Sequence, residues 1–400
     1  MKVINKMITL KNHEKFSKQY VIDKAKLEIA AKSACTKLKE RVQRNGVGFP
    51  GTCSKDYKYA QGENNNWECG MYTGCFWLAY QLTGDEFFKN VALEQLKTYH
   101  KRWENKVGVD DHDVGFVYNI GCVPAYKLLG DENAKKLALE VFDYYYNTSY
   151  SKEGKFIIRN HKGYRSGNLA SYRTMMDSLM NAPYFCWASE VTGNPEYKKA
   201  AIDHVKTTAD YLIREDGSSY HHLIFDENTD LPIDKVTWQG HRHDSCWSRG
   251  HSWGIYGFPV AYDYTGADFL PKLHRDITYF MLNHLPEDCI PYWDYDFTSG
   301  DESRDSSAGL ISACGMLEMS KLLPDTAMER NVYLSAAAQI VEATIDTCTG
   351  DIGVPYDGLV NRVTHAKPQK QGIDECAVYG DYFYLEALAR FLKPDFIRYW

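Results

Sequence analysis

The stretch Arg173-Thr-Met-Met-Asp177-Ser-Leu-Met-Asn181-Ala-Pro183-Tyr-Phe-Cys-Trp187-Ala-Ser-Glu190-Val-Thr-Gly193 decides how the fold is read. Met176, Leu179, Met180, Pro183 and Trp187 recur at three- and four-residue steps, the period of a helix. Gly193 supplies the stop, because glycine takes positive φ without a steric cost. The segment is apolar on nearly every side, which predicts a buried helix. Asp177, the acid near its start, is therefore expected to be buried or half-buried. A charge is costly there, and such places are often functional.

Outward from this stretch the same pattern recurs. Aromatic and small-residue segments run from Trp67 to Gly84, from His112 to Gly130, from Trp247 to Gly266, from Asp305 to Leu323 and from Tyr379-Gly-Asp381 onward. Five of the six apolar segments, the Asp177 segment included, lead into a polar, lysine-dotted amphipathic helix. Residues 14–44 supply a sixth amphipathic helix, with Ile22, Ala25 and Ile29 at helical steps and Leu27, Ala31 and Leu38 widening the apolar face. The repeat is degenerate, but its logic is constant: apolar helices need burial and amphipathic ones shield them. Six inner and six outer helices around one axis predict an all-α (α/α)6 barrel spanning residues 1–400 as one domain. Pro124, Pro183 and Pro259 fall within inner segments, and each bends its helix unless it lies in the first turn.

The composition suits that reading. Hydrophobic residues make up 44% and charged residues 25% of the 400, ordinary values for a protein with a large core. The excess is aromatic (30 tyrosines, 17 phenylalanines and 9 tryptophans), which suits both core packing and stacking on sugar rings. A net charge of −7 without a basic stripe argues against nucleic-acid binding. The 11 cysteines are odd in number and form no C-x-x-C pair, which points to a reducing compartment rather than a disulfide framework. The N-terminus lacks a signal-peptide core and no apolar run reaches membrane-spanning length, so a cytoplasmic protein with no membrane partner is expected. Asn147-Thr-Ser149 is a glycosylation sequon by pattern only.

In a closed ring of hairpins all inner helices run the same way, so their starts gather at one mouth. Those starts hold Trp67, His112, Asp113, Asp177, Arg249, His251, Trp253, Asp305 and Asp381, and the connection before the fourth adds His221, His222, Gln239, His241 and His243. Carboxylates, imidazoles, an arginine and tryptophans at one mouth describe a site for an acidic sugar, whose carboxylate an arginine fork can hold. Each residue also has a plainer reading. Asp177 lies four residues after Arg173 and could form a helical ion pair. Asp113, Asp305 and Asp381 could be helix N-caps, the reading kept for the last two. Arg249 could be a structural cation stacked on Trp247 or Trp253. The cluster His241-Arg-His243-Asp244 lacks a metal-ligand spacing, so no metal and no cofactor are expected. There is no P-loop, dinucleotide fingerprint or nucleophile elbow.

The set His112-Asp113, Asp177-Ser-Leu-Met-Asn181, His221, Gln239-Gly and Trp247-Ser-Arg249-Gly-His-Ser-Trp253-Gly closely resembles the unsaturated glucuronyl hydrolases of glycoside hydrolase family 88. The resemblance runs from about Trp67 to the C-terminal Gly-Asp-Tyr-Phe stretch, and it too implies an (α/α)6 barrel. It implies that Asp177 is the general acid/base and Asp113 the second essential carboxylate. Trp67, His112, His221, Gln239, Arg249 and Trp253 are implied as substrate-binding residues. The implied substrate is the 4,5-unsaturated uronic acid at the non-reducing end of lyase-generated glycosaminoglycan oligosaccharides, a small-molecule partner. The implied reaction hydrates a vinyl ether, so the carboxylate-separation rule for retaining and inverting enzymes does not apply. The acid must carry its proton at working pH. The methionines around Asp177, or Asp113 as a neighbouring carboxylate, are the expected causes of a raised pKa. Two rivals are a hydrolase of unsaturated rhamnogalacturonan disaccharides and a non-catalytic glycan-binding barrel. The segment Thr364-His-Ala-Lys367-Pro-Gln-Lys370 is either a contact for the adjoining sugar or, as its charge suggests, a solvated basic loop.

Overall fold

Twelve long segments of the chain alternate between apolar and amphipathic, and in the computed structural model they alternate between an inner and an outer ring. The structure describes residues 8–18, 20–166 and 169–400. The inner ring comprises Cys69–Thr83, Gly115–Asn119 with Val123–Leu129, Met176–Asn181 with Ala182–Thr192, Ser248–Thr265, Ser306–Leu322 and Val378–Leu392. Each packs on the next, and the sixth packs on the first, closing the barrel. The outer ring comprises Lys24–Asn45, Glu86–Glu104, Glu132–Ser149, Pro195–Leu212, Leu270–His284 and Met328–Cys348. Inner segments are buried all round: every residue from Ser306 to Ser320 and from Val378 to Arg390 is buried. This is the (α/α)6 barrel that the hairpin pattern predicts.

The turns between inner and outer helices repeat a local rule. Gly84, Gly130, Gly193 and Gly266 end their inner helices in the left-handed region, with φ between +64° and +74°. The next residue in three of these turns (Asp85, Asp131 or Asn194) caps the outer helix through its side chain.

Two expectations are corrected. Residues 14–44 are not one helix: His13–Ser17 and Lys24–Asn45 are separate. Asp23 restarts the helix by accepting from Lys26 N at 3.2 Å, while its own N–H donates to Glu342 Oε1 at 2.7 Å. The buried face then follows Leu27, Ala31, Ala34 and Leu38, leaving Ile29 71% exposed. Nor does the Asp177 segment begin as a helix. Arg173–Met175 is a strand, Met176–Asn181 a 3₁₀ turn, and the α-helix starts at Ala182. Arg173 therefore does not form a helical pair with Asp177. Pro183 lies in the first turn, where its missing N–H costs nothing, and Pro124 does the same in Val123–Leu129, whereas Pro259 is interior.

The strand matters for the site. Arg173–Met175 pairs antiparallel with His222–Phe225, which pairs with Pro232–Val236. No helix among the described residues is long and apolar enough to cross a membrane. All 11 cysteines are free thiols.

Candidate active site

The inner-helix starts open onto one cavity of about 260 Å³. Trp67, His112, Asp113, Asp177, Gln239, Arg249 and Trp253 line it. His221 stands directly behind this wall, its Nε2 3.8 Å from Asp177 Oδ1. The strand pairing sets that approach: Met175 is in register with His222, and Met176 N donates to His221 O at 2.9 Å. His221 Nδ1 lies 3.1 Å from the Thr237 hydroxyl, its Nε2 lies 3.1 Å from His222 Nε2, and its ring tilts under Trp247 at 4.4 Å.

Asp177 is 5% exposed, and neither carboxyl oxygen has a hydrogen-bond partner. Its pKa is pushed up to about 7 by burial, against the pull of Arg249 and Arg159. Met175 and Met176 form part of the apolar surroundings that desolvate it. The carboxylate–carboxylate effect is seen on Asp113. Burial pushes this acid well above the usual range, with Asp111 and then Asp177 adding to the rise and Arg159 opposing it. Asp113 is not a simple cap. Its N–H donates to Asp111 Oδ1 at 2.8 Å, and its Oδ1 lies 3.4 Å from His112 Nε2. Burial also holds His112 and His221 neutral, each well below the ordinary histidine pKa.

Arg249 has the structural role of a stacked cation and also lines the cavity. Its guanidinium lies 4.6 Å from the Trp247 ring and 4.7 Å from the Tyr379 ring. Nη1 donates to Asp305 Oδ2 at 2.6 Å and to Thr364 O at 2.7 Å, and Nη2 donates to His365 O. Two of its five N–H groups remain for a ligand. Asp305 is thus an anchor for Arg249, with Ser307 donating to its other oxygen, rather than a backbone cap. Asp381 is not an N-cap, since it lies inside Val378–Leu392, and it does not line the cavity: it binds Arg41 at 3.0 Å and the Leu359 N–H at 2.6 Å, fixing an outer helix.

Sequence reading missed several members. Arg159 lines the cavity and holds Asp111 Oδ2 at 2.8 Å. Phe116 forms a wall between Trp67 (5.5 Å) and Trp253 (5.4 Å), and Trp67 stacks on Tyr379 at 5.5 Å. The segment at residues 364–370 is not a solvated basic loop. His365, Ala366, Gln369 and Gln371 line the cavity, while Lys367 pairs with Glu302. Gln239 Nε2 donates to His365 O at 3.1 Å, and Gln369 Nε2 donates to Trp238 O at 2.7 Å, folding the loop over the mouth. His241 and His243 do not line the cavity. Arg242 is paired with Asp244 and Asp296, both at 3.0 Å, and His243 accepts from Thr237 N. Among the described residues, the donor atoms gathered closely enough for a metal are those of Asp111, His112 and Asp113. Both Asp111 oxygens are already engaged by Arg159 and the Asp113 N–H.

The family model of Glycosyl Hydrolase Family 88 matches residues 43–296. The chain belongs to this family. It is 35% identical, over 98% of its length and 97% of the relative's, to the unsaturated chondroitin disaccharide hydrolase of Streptococcus pyogenes serotype M1. It superposes on the crystal structure of the unsaturated glucuronyl hydrolase from Streptococcus agalactiae with a TM-score of 0.93, at 32% identity over 99% of this chain and 98% of that one. An aspartate-to-asparagine variant of the S. agalactiae enzyme, complexed with dGlcA-GalNAc6S, matches at TM-score 0.87 and 30% identity over the same shares of the two chains. The family 88 chain described here is thus a glycoside hydrolase by descent.

Proposed function

We propose that this family 88 hydrolase removes the 4,5-unsaturated uronic acid from the non-reducing end of lyase-generated glycosaminoglycan oligosaccharides. The observation that carries the proposal is Asp177: an acid without a hydrogen-bond partner, on an apolar wall, with a pKa pushed up to about 7. At neutral pH a large share of such a group carries its proton, the state a general acid needs. That proton goes to C4 of the unsaturated ring. Positive charge then spreads over C5 and the ring oxygen, and water adds at C5 while ionised Asp177 takes back a proton. The product is a hemiketal, which opens and releases the next sugar. The anomeric carbon is never attacked, so no carboxylate needs to sit beneath it.

The remaining roles follow from position. Asp113, its backbone fixed by Asp111, contacts the sugar hydroxyls. The two free N–H groups of Arg249 and the amide of Gln239 hold the uronate carboxylate, and neutral His112 hydrogen-bonds the sugar without adding charge. His221, behind the wall with its ring nitrogens against Thr237 and His222, backs Asp177 rather than touching the ligand. Trp67 and Trp253 pack on the ring faces. The free thiols fit a cytoplasmic setting, where short oligosaccharides are the reachable substrates.

The test follows loss of the ultraviolet absorbance of the unsaturated uronate, with chondroitin, hyaluronan and rhamnogalacturonan disaccharides in parallel. Loss with chondroitin or hyaluronan is expected. Loss confined to the rhamnogalacturonan disaccharide moves the activity to that substrate class, and no loss with any of them overturns the proposal.

A further inference from the structure

Residues 393–400 leave the sixth inner helix and close the end of the barrel opposite the catalytic mouth. Four other inner helices hold them by hydrogen bond or ion pair. Gln81 and Ile397 exchange backbone–amide hydrogen bonds at 2.9 and 3.0 Å, and Gln81 Nε2 also donates to the Tyr399 hydroxyl at 2.7 Å. Lys127 Nζ donates to Arg398 O and Tyr399 O, both at 3.1 Å. The Tyr264 hydroxyl donates to Trp400 O at 3.3 Å, and Arg398 pairs with Asp263 at 2.7 Å and with Glu318. On the sixth inner helix, Arg390 donates to that same Glu318.

This tail drives an indole up the barrel axis. Trp400 is fully buried, lying parallel to Phe383 at 6.4 Å and edge-on to Tyr256 and Tyr382 at 6.0 and 6.3 Å. Its upper contact is Phe116, at 5.6 Å and 84°. Phe116 is the residue that closes the cavity between Trp67 and Trp253. The Phe116 backbone is fixed from elsewhere: a Cβ on Gly70 would come 2.0 Å from its carbonyl oxygen, so the first inner helix lies directly against it. Only the ring is left to be held. Trp67 and Trp253 hold it on the ligand side, and Trp400 holds it from below.

We propose that Trp400 is a positioning residue for the sugar site, acting through Phe116: it sets the depth of the cavity floor from the far end of the barrel. Edge-to-face aromatic pairs favour one mutual geometry over others. Without the indole, the Phe116 ring can sink toward the axis and away from the plane of a bound sugar. The inference rests on the proposed hydrolase reading only for the identity of the ligand.

The experiment compares Trp400→Leu, Trp400→Phe, Phe116→Leu and the Trp400→Leu/Phe116→Leu double variant of the full chain, assayed well below their melting temperatures. Trp400→Leu should raise KM for the unsaturated chondroitin disaccharide about 3- to 10-fold, with a smaller change in kcat. Trp400→Phe should stay within about 2-fold of wild type, and Trp400→Leu should add little in the Phe116→Leu background. A lowered melting temperature with unchanged KM, or additive effects in the double variant, overturns the proposal. If Trp400→Leu does not fold, Gln81→Ala, which frees the tail without touching the indole, should raise KM in the same direction. A crystal structure of Trp400→Leu, or of Gln81→Ala in that case, reads the effect without substrate: Phe116 should move away from Trp253, and an unmoved ring sinks the idea. Absence of turnover in the wild type would count against the hydrolase reading alone, since the ring position still decides this one.

Discussion

Asn181 brackets Asp113: its Nδ2 donates to His112 O at 2.7 Å, and its Oδ1 accepts from Gly115 N at 2.9 Å. Asn181 is fully buried and lies on the same 3₁₀ turn as Asp177. One amide therefore ties the turn that carries the acid to the segment that carries its partner. Asn181→Ala leaves a buried donor and a buried acceptor unpaired, which should cost about 2–4 kcal/mol of stability. Because a small displacement of an acid is expensive in rate, kcat should fall on the order of 100-fold, with less change in KM. Kinetics below the melting temperature, beside urea unfolding, check both. A variant with normal kcat would reduce the bracket to a purely structural role.

Gly115 makes the complementary case. A Cβ there would lie 2.3 Å from Asn181 Oδ1. Gly115→Ala should therefore push the amide off the Asp113 segment, costing about 1–3 kcal/mol and reproducing the kcat loss of Asn181→Ala. The double variant should be little worse than either single one, since both break the same contact. Additive losses in kcat would separate the two positions.

Asp177→Asn should lose turnover by about 100- to 10,000-fold while still binding the disaccharide, as measured by calorimetry. The same change should stabilise the protein at high pH. A carboxyl whose folded pKa is raised from 3.8 to about 7 contributes stability that is full below pH 3.8 and lost as pH rises through 7. The loss is on the order of 4 kcal/mol at pH 8, and the asparagine does not suffer it. The melting-temperature gap between variant and wild type should widen in favour of the variant from pH 5 to pH 8. A constant gap would mean that Asp177 titrates normally.

The pH profile gives a separate handle. If Asp177 must be protonated to act, kcat/KM should fall as pH rises past about 7. Arg159 lowers the pKa of both Asp177 and Asp113. Arg159→Gln should therefore move the alkaline limb to higher pH. A limb that stays in place, or moves down, would show that another group sets it.

The parts of this protein that were legible in its sequence are those with local causes. Gly84-Asp85, Gly130-Asp131 and Gly193-Asn194 announce helix ends and starts within two residues, and helices apolar on every side can only be inner ones. Asp177 stood out because it is an acid among methionines. The strand Arg173–Met175 gave no such signal. It is three residues long, and its partner His222–Phe225 lies some fifty residues away, so the period of the following helix swallowed it. The loop at residues 364–371 looked polar because its lysines are polar. Its place over the mouth comes instead from backbone carbonyls, His365 O above all, that accept from Gln239 and Arg249. Arg159 follows the buried run Phe156-Ile157-Ile158, a hint that it points somewhere specific, but its partner Asp111 is visible only in three dimensions.

The eleven free thiols bear on how this site can be trapped. Burial raises the pKa of each one, from half-exposed Cys53 to the walled-in Cys75 and Cys314, so scarcely any thiolate exists near neutral pH. A haloacetyl-bearing sugar would meet scarcely any thiolate on its way in, and the sulfur that lines the cavity is the thioether of Met175, which needs no deprotonation to react. The neutral imidazoles of His112 and His365 line the same cavity, while burial keeps Asp113 and much of Asp177 protonated. The adduct to look for at neutral pH is therefore an alkylated histidine or a Met175 sulfonium, neither of which hydroxylamine cleaves.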